Sequence, residues 1–159
     1  MSTFTSSEFR KALGNYATGV AIISARVADG DPVGITANSF ASVSLDPPLV
    51  LWSVDKSSSQ CDVFVNCEYF AVHILQEDQQ QLARTFSDDD ADKFNGLIIE
   101  RGVADLPLIS ECSVVLQCKV TNVYEEGDHF ILVGKVVDMR AGSVEPLVFF
   151  SGTYTRLQS

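Results

Sequence analysis

Ser113-Val-Val-Leu-Gln-Cys-Lys-Val-Thr-Asn-Val-Tyr124, the turn Glu125-Glu126-Gly127-Asp128, and His129-Phe-Ile-Leu-Val-Gly-Lys-Val-Val-Asp-Met139 form the stretch that decides the fold. Two long runs rich in β-branched residues flank a short turn that carries a glycine. That pattern predicts a β-hairpin. Residues 131–137 are apolar on both alternating faces. One face then belongs in a barrel core and the other needs a cover, such as a second subunit.

Outward from the hairpin the same grammar repeats. Residues 19–27 read as a strand that ends at the turn Asp29-Gly30-Asp31-Pro32. Residues 33–43 resume in extended form until Asp46-Pro47-Pro48, since proline cannot donate to a ladder. Residues 49–54, 69–75 and 147–157 read as further strands. Thr5-Ser6-Ser7-Glu8 is a capping box, followed by Phe9, Leu13 and Tyr16 near helical spacing. Short helices are also expected over 59–66 and over 76–86, the latter with Leu82, Ala83 and Phe86 inward. The total is about seven strands and about two or three short helices, with no regular βαβ alternation. This predicts a mainly β fold, a closed or split antiparallel barrel with helices at its ends, formed as a single domain over 1–159.

Composition narrows the function. The chain has 159 residues, of which 46% are hydrophobic and 20% charged, and a net charge of −10. No Lys/Arg cluster offsets the acidity, which excludes a nucleic-acid partner. An anionic ligand would need a local site of backbone amides, hydroxyls and a lysine or two. No run reaches the roughly 20 apolar residues that span a bilayer, and residues 1–10 lack the apolar segment of a secretory signal. Cys61, Cys67, Cys112 and Cys118 form no C-x-x-C pair and no zinc-type spacing. They read as buried free thiols of a cytoplasmic protein, with Cys112 and Cys118 on one face of a strand. No metal site is expected. G-x-S-x-G, H-E-x-x-H and G-x-G-x-x-G are all absent, so hydrolysis, zinc chemistry and Rossmann nucleotide binding have no support.

Three segments have the residue types for ligand chemistry. Gly34-Ile-Thr-Ala-Asn-Ser-Phe-Ala-Ser-Val-Ser-Leu-Asp-Pro-Pro48 crowds small and hydroxylated residues into extended chain. Small side chains let main-chain donors approach a flat ligand; a polar edge strand leading into a turn is the plain alternative. Asp55-Lys56-Ser57-Ser58-Ser59-Gln60 offers hydroxyls and a lysine for a phosphate, or is an ordinary serine-rich loop. His129, one of two histidines, sits where a turn feeds a strand, either at a barrel mouth or facing solvent. His73 lies between apolar neighbours and reads as a core histidine. Asp88, Asp89, Asp90 and Asp92 lack the glycine and glutamate of a calcium loop and read as a solvated acidic loop.

In order along the chain, Tyr16-Ala-Thr-Gly-Val20, Gly34-Ile-Thr-Ala-Asn-Ser-Phe40 with Ser44-Leu-Asp-Pro-Pro48, Lys56-Ser57-Ser58, Gly127-Asp128-His129 with Gly134-Lys-Val136, and Pro146-Leu-Val-Phe-Phe-Ser-Gly-Thr-Tyr154 resemble the flavin reductase-like family. Its members are small NAD(P)H:flavin oxidoreductases that serve two-component flavin monooxygenases and halogenases. The resemblance implies a Greek-key split β-barrel, a homodimer, FMN or FAD near the subunit interface, NADH or NADPH as hydride donor, and a flavin-dependent oxygenase partner. It implies that Thr36, Ala37, Asn38 and Ser39 line the isoalloxazine, with Ser53, Val54 and Asp55 at the strand end beside it. Lys56, Ser57 and Ser58 match the phosphate loop, and His129 matches the histidine associated with the nicotinamide. Lys93 and Phe94 sit where relatives place basic and aromatic residues near the flavin. Two departures are Ser59-Gln60 and the phenylalanines Phe149 and Phe150, where relatives often carry a tyrosine. A flavin carrier or sensor without reductase activity, and a pyridoxine-type oxidase on a related barrel, are the rival readings.

Overall fold

The computed structural model describes residues 2–158. The capping box forms as expected: Thr5 Oγ1 accepts from the Glu8 amide at 3.1 Å, and Glu8 Oε2 accepts from the Thr5 amide at 2.7 Å. It starts α1 (Ser6–Leu13). Then follow β1 (Thr18–Gly19), β2 (Ala21–Arg26), β3 (Pro32–Ala37), β4 (Ala41–Leu45) and β5 (Pro48–Asp55). Next come α2 (Cys61–Asn66), β6 (Tyr69–Ile74), α3 (Gln80–Ser87), β7 (Ile99–Arg101) and β8 (Pro107–Ile109). The chain closes with β9 (Val114–Glu126), β10 (His129–Ala141), β11 (Leu147–Phe150) and β12 (Thr153–Arg156).

The central hairpin is β9 and β10, 13 residues each, opening at the pair Glu126 and His129. It sits in the middle of a 7-stranded sheet ordered β3-β2-β6-β9-β10-β5-β4. Every pairing is antiparallel. The two edge strands, β3 and β4, are consecutive in sequence, and residues 38–40 join them. The sheet therefore curls until its edges approach at that bend, giving a split barrel. Two β-bulges in the β9–β10 pairing, at Val133/Gly134 and Val136/Asp138, help the long hairpin to bend.

Alternation along β2 separates two cores. Ala21, Ile23 and Ala25 face the barrel interior with Trp52, Phe64, Phe70, Cys118 and Leu132. Ile22 faces the other way, toward Ala83 and Phe86 of α3, Ile109 of β8 and Val115. Inside the barrel, Trp52 meets Phe64 edge-on with centroids 4.9 Å apart. Gly134 must be glycine there: a Cβ would lie 2.6 Å from Phe70 Cζ. His73 is fully buried, as expected of a core histidine. Its Nδ1–H donates to the Ile22 carbonyl at 3.0 Å, and the Ile109 amide donates to Nε2 at 3.0 Å. The neutral ring thus staples β2, β6 and β8, and burial pushes its pKa down to about 4.

The elements differ from the sequence reading in several places. Residues 33–43 are not one extended run, because the bend at 38–40 separates β3 from β4. Residues 147–157 form a hairpin instead of a single strand, since Ser151 (φ 51°) and Gly152 (φ 80°) make a left-handed turn. Within 76–86, helix begins only at Gln80, because Gln76 bridges to Pro146 and its amide donates to Gln79 Oε1. The short pair β7 and β8 was not foreseen. Cys112 lies in a turn before β9, where strand parity does not reach. It packs in the outer core while Cys118 packs inside the barrel, so the two do not share a face.

Candidate active site

The small-residue ribbon is the free edge of the sheet. Gly34 stands opposite Ser24 across β2. Its amide donates outward to Gln60 Oε1 at 2.9 Å, and its carbonyl accepts from Lys93 Nζ at 3.0 Å. In an antiparallel edge, main-chain groups alternate in direction. Those of Thr36 therefore also point away from β2, past the segment that Gln60 and Lys93 cover. The Thr36 hydroxyl donates to the Ala83 carbonyl at 2.7 Å, which fixes α3 beside the ribbon. Gly34 admits no side chain, since a Cβ would meet Phe86 at 2.5 Å and Phe94 at 3.2 Å.

At the bend, Ser39 Oγ accepts from the Ser53 amide at 3.0 Å and donates to the Ser53 carbonyl at 3.1 Å. Two cavities open along this ribbon. The first, of about 160 Å³, is lined by Val20, Thr36, Asn38, Ser87, Phe149 and Tyr154. The second, of about 610 Å³, includes Thr18, Asn38, Ser39 and Phe149 in its walls. Asn38 and Phe149 belong to both, so the two are chambers of one groove. Phe149 and Tyr154 pair across β11 and β12 with rings 5.4 Å apart, forming an apolar wall. The larger chamber is of the size that small-molecule sites require, roughly 300–1,000 Å³. The Thr18 hydroxyl on that chamber is buried and has no hydrogen-bond partner in the described structure. An unmet buried hydroxyl costs about 1–3 kcal/mol. A ligand with polar ring atoms would meet it, so the donor set, the volume and the apolar wall fit a flat heteroaromatic ring such as a flavin.

A second cluster forms where β5 ends. Asp55 faces His129 across the β5–β10 pairing. Asp55 Oδ1 accepts from the Ser57 amide and from the Ser57 hydroxyl, each at 2.8 Å. These two bonds hold the Asp55 carboxyl below its usual range, with a smaller contribution from His129. Lys56 Nζ lies 2.6 Å from Glu125 Oε1 and 5.4 Å from the Phe130 ring. His129 Nδ1 lies 2.7 Å from Asp128 Oδ1. Ser58 Oγ accepts a 3.3 Å bond from the Gln60 amide.

The residues singled out from sequence thus fall into three places. Thr36, Asn38 and Ser39 line the groove, and Ser53 is clasped to it. Ala37 turns its side chain toward the interior, beside a smaller cavity at Phe40 and Ile74. Asp55, Lys56, Ser57 and Ser58 gather with His129, two residues along β5 from Ser53. Val54 is 1% exposed and packs in the barrel core, so only its main chain is free to meet a ligand. Lys93 and Phe94 stand behind Gly34, with Phe94 edge-on to Phe86 at 5.1 Å. Burial there lowers the Lys93 pKa, opposed by Asp89 and Asp88. Sequence reasoning did not single out Thr18, Ser87 or the Phe149–Tyr154 wall as lining residues. β1 and β11 come from opposite ends of the chain, and no local pattern announces their pairing.

The fold and the site together define an antiparallel split barrel with a small-residue edge beside an apolar-walled groove. Comparison with known proteins gives the family. A family model described as a flavin reductase like domain matches residues 13–158. The chain is 40% identical over 151 residues to FMN reductase (NADH) SmoA of Agrobacterium fabrum, covering 95% of this chain and 86% of that protein. It is 39% identical to the reductase component of the flavin-dependent trigonelline monooxygenase of Acinetobacter baylyi, covering 92% of this chain and 47% of that one. It spans about half the length of that relative. A solved structure of the NADH:FAD oxidoreductase of Streptomyces globisporus, in complex with NAD and FAD fragments, superposes with a TM-score of 0.88 at 34% identity, covering 96% of this chain and 92% of that one. The chain belongs to the flavin reductase-like family.

Proposed function

We propose that this chain is an NAD(P)H:flavin oxidoreductase that moves hydride from a reduced nicotinamide to FMN or FAD and hands the reduced flavin to a partner oxygenase or halogenase. The continuous groove through Asn38 and Phe149, beside the open edge at Thr36, carries this reading. A bound flavin would supply the two-electron acceptor, and the protein's share is binding and alignment. Thr36, Asn38 and Ser39 hold the ring edge through main-chain and hydroxyl groups, while Ala37 between them pairs back to Ala21 of β2 and keeps the ribbon in place. The Ser39–Ser53 clasp keeps that edge rigid, and donors fixed in advance favour charge that develops on a ring during reduction. The Phe149–Tyr154 wall excludes water. His129 orients the nicotinamide from the end of β10. Asp55, Lys56, Ser57 and Ser58 form the adjoining turn; a phosphate there replaces Glu125 on Lys56 and Asp55 on Ser57. Lys93 and Phe94 support the ribbon from behind at Gly34.

The working unit is a homodimer of single-domain chains. Leu49, Leu51, Ile131 and Val133 line the outer face of β5 and β10, which no helix among the described residues covers. Nearby Leu45 is 94% exposed and Tyr124 48% exposed. A second copy would bury this surface. The protein works in the cytoplasm, in keeping with its four unpaired thiols. No helix among the described residues is long and apolar enough to cross a membrane.

The test is anaerobic mixing of the purified chain with FMN and NADH, then with FAD and NADPH. The expected result is bleaching of the flavin band far faster than in the protein-free mixture. Yellow protein that never bleaches would identify a flavin carrier, and the enzyme reading would be lost.

A further inference from the structure

We propose that Arg10, on α1, anchors a phosphate of the nucleotide bound in the groove; the inference rests on the flavin reductase reading above. The larger chamber has one cationic side chain in its lining, Arg10, which shares that lining with Asn38 and Ser39. The place of α1 is set by a main-chain bond: the Ser151 amide donates to the Gly14 carbonyl at 2.9 Å. This holds the end of the helix against the β11–β12 turn and puts Arg10, one helical turn earlier, over the chamber.

Three other cations near the site are already engaged, and Lys11, beside Arg10 on α1, does not line the chamber. Lys56 pairs with Glu125, and Lys93 donates to the Gly34 carbonyl. Arg84 lies over the Tyr154 ring at 5.3 Å. Elsewhere, Lys119, Arg101, Arg140 and Arg156 pair with carboxylates, and Arg26 donates to the carbonyls of Gly30 and Asp105. Among the described residues, Arg10 has neither a carboxylate nor a carbonyl partner for its guanidinium. The whole chain carries −10, so a nucleotide phosphate entering the groove meets repulsion from most directions. A free guanidinium offers the paired donors that a phosphate accepts. With the ring on Thr36–Ser39, the larger chamber has room for a nucleotide phosphate that does not reach the turn at Lys56–Ser58.

The phosphate has two sources, the flavin tail and the nicotinamide dinucleotide, and the test separates them. The full-length wild type, Arg10→Ala and Arg10→Lys are titrated with riboflavin and FMN, and KM for NADH is measured with riboflavin as acceptor. If the flavin phosphate is held, Arg10→Ala raises the FMN dissociation constant about tenfold and leaves riboflavin unchanged. If the dinucleotide phosphate is held, the KM for NADH rises about tenfold with both flavin constants unchanged. In either case Arg10→Lys recovers part of the loss and added salt shrinks the difference. Equal weakening of riboflavin and FMN, or no change in any of the three constants, would overturn the proposal while leaving the reductase reading intact. A wild type that binds neither flavin would remove both. Arg10 is exposed, so Arg10→Ala should melt with the wild type.

Discussion

Ser39 and Ser53 are joined twice: the Ser39 hydroxyl accepts from the Ser53 amide at 3.0 Å and donates to its carbonyl at 3.1 Å. One side chain thus takes both main-chain groups of a residue on β5 and locks the bend that closes the barrel edge. Ser39→Ala leaves the half-buried Ser53 amide without its partner, at a cost of about 1–2 kcal/mol. Urea unfolding should show that loss, and flavin titration should show weaker binding. Ser39→Thr should keep most of both. Unchanged flavin affinity in Ser39→Ala would detach the bend from the binding site.

His129→Ala should separate the two substrates. His129 pairs with Asp55 across the strand end and lines neither chamber of the groove. The expected outcome is a rise of about tenfold in KM for the nicotinamide with flavin affinity nearly unchanged. An equal loss of flavin binding would make the residue structural.

Glu125→Gln should strengthen phosphate-bearing flavins. Glu125 occupies the Lys56 ammonium at 2.6 Å in the free protein. Removing its charge frees that cation for an incoming phosphate, so FMN should bind about threefold more tightly while riboflavin does not change. The pair is largely exposed, and folding stability should move little.

Acidification should destabilise the fold through His73. Its pKa is about 4 when folded, because burial penalises the charged ring, against 6.5 when free. The neutral form stabilises the fold fully above pH 6.5. As the pH falls from 6.5 toward 4, the unfolded chain takes up a proton that the folded ring refuses. The loss across that window is about 3 kcal/mol. Urea unfolding at a series of pH values should show this slope, and it should flatten in His73→Gln.

Much of this architecture is legible in the chain because it is local. The β9–β10 hairpin is written in β-branched runs around Glu125-Glu126-Gly127-Asp128, and α1 in a capping box four residues long. The ribbon at Thr36–Ser39 stands out because small polar residues replace the bulky ones that a buried strand would carry. What sequence leaves unread is non-local. Thr18 reaches the groove only because β1 pairs with β11, and Phe149 becomes a wall only once Ser151 and Gly152 turn β12 back upon it. The engagement of Lys56 by Glu125 depends on the β5–β10 and β9–β10 registers together, which bring two distant residues within reach across β10. β7 and β8 are too short to carry a periodic signal, and they gain their place by covering Ile22 and Val115.

A crystal structure of the protein with FMN would place the ring directly. The isoalloxazine is expected against the main chain of Thr36 to Ser39, with Phe149 beside it and the Thr18 hydroxyl newly hydrogen-bonded. Flavin seated elsewhere on the barrel, with the groove between Asn38 and Phe149 left without it, would rule out this groove as the flavin site.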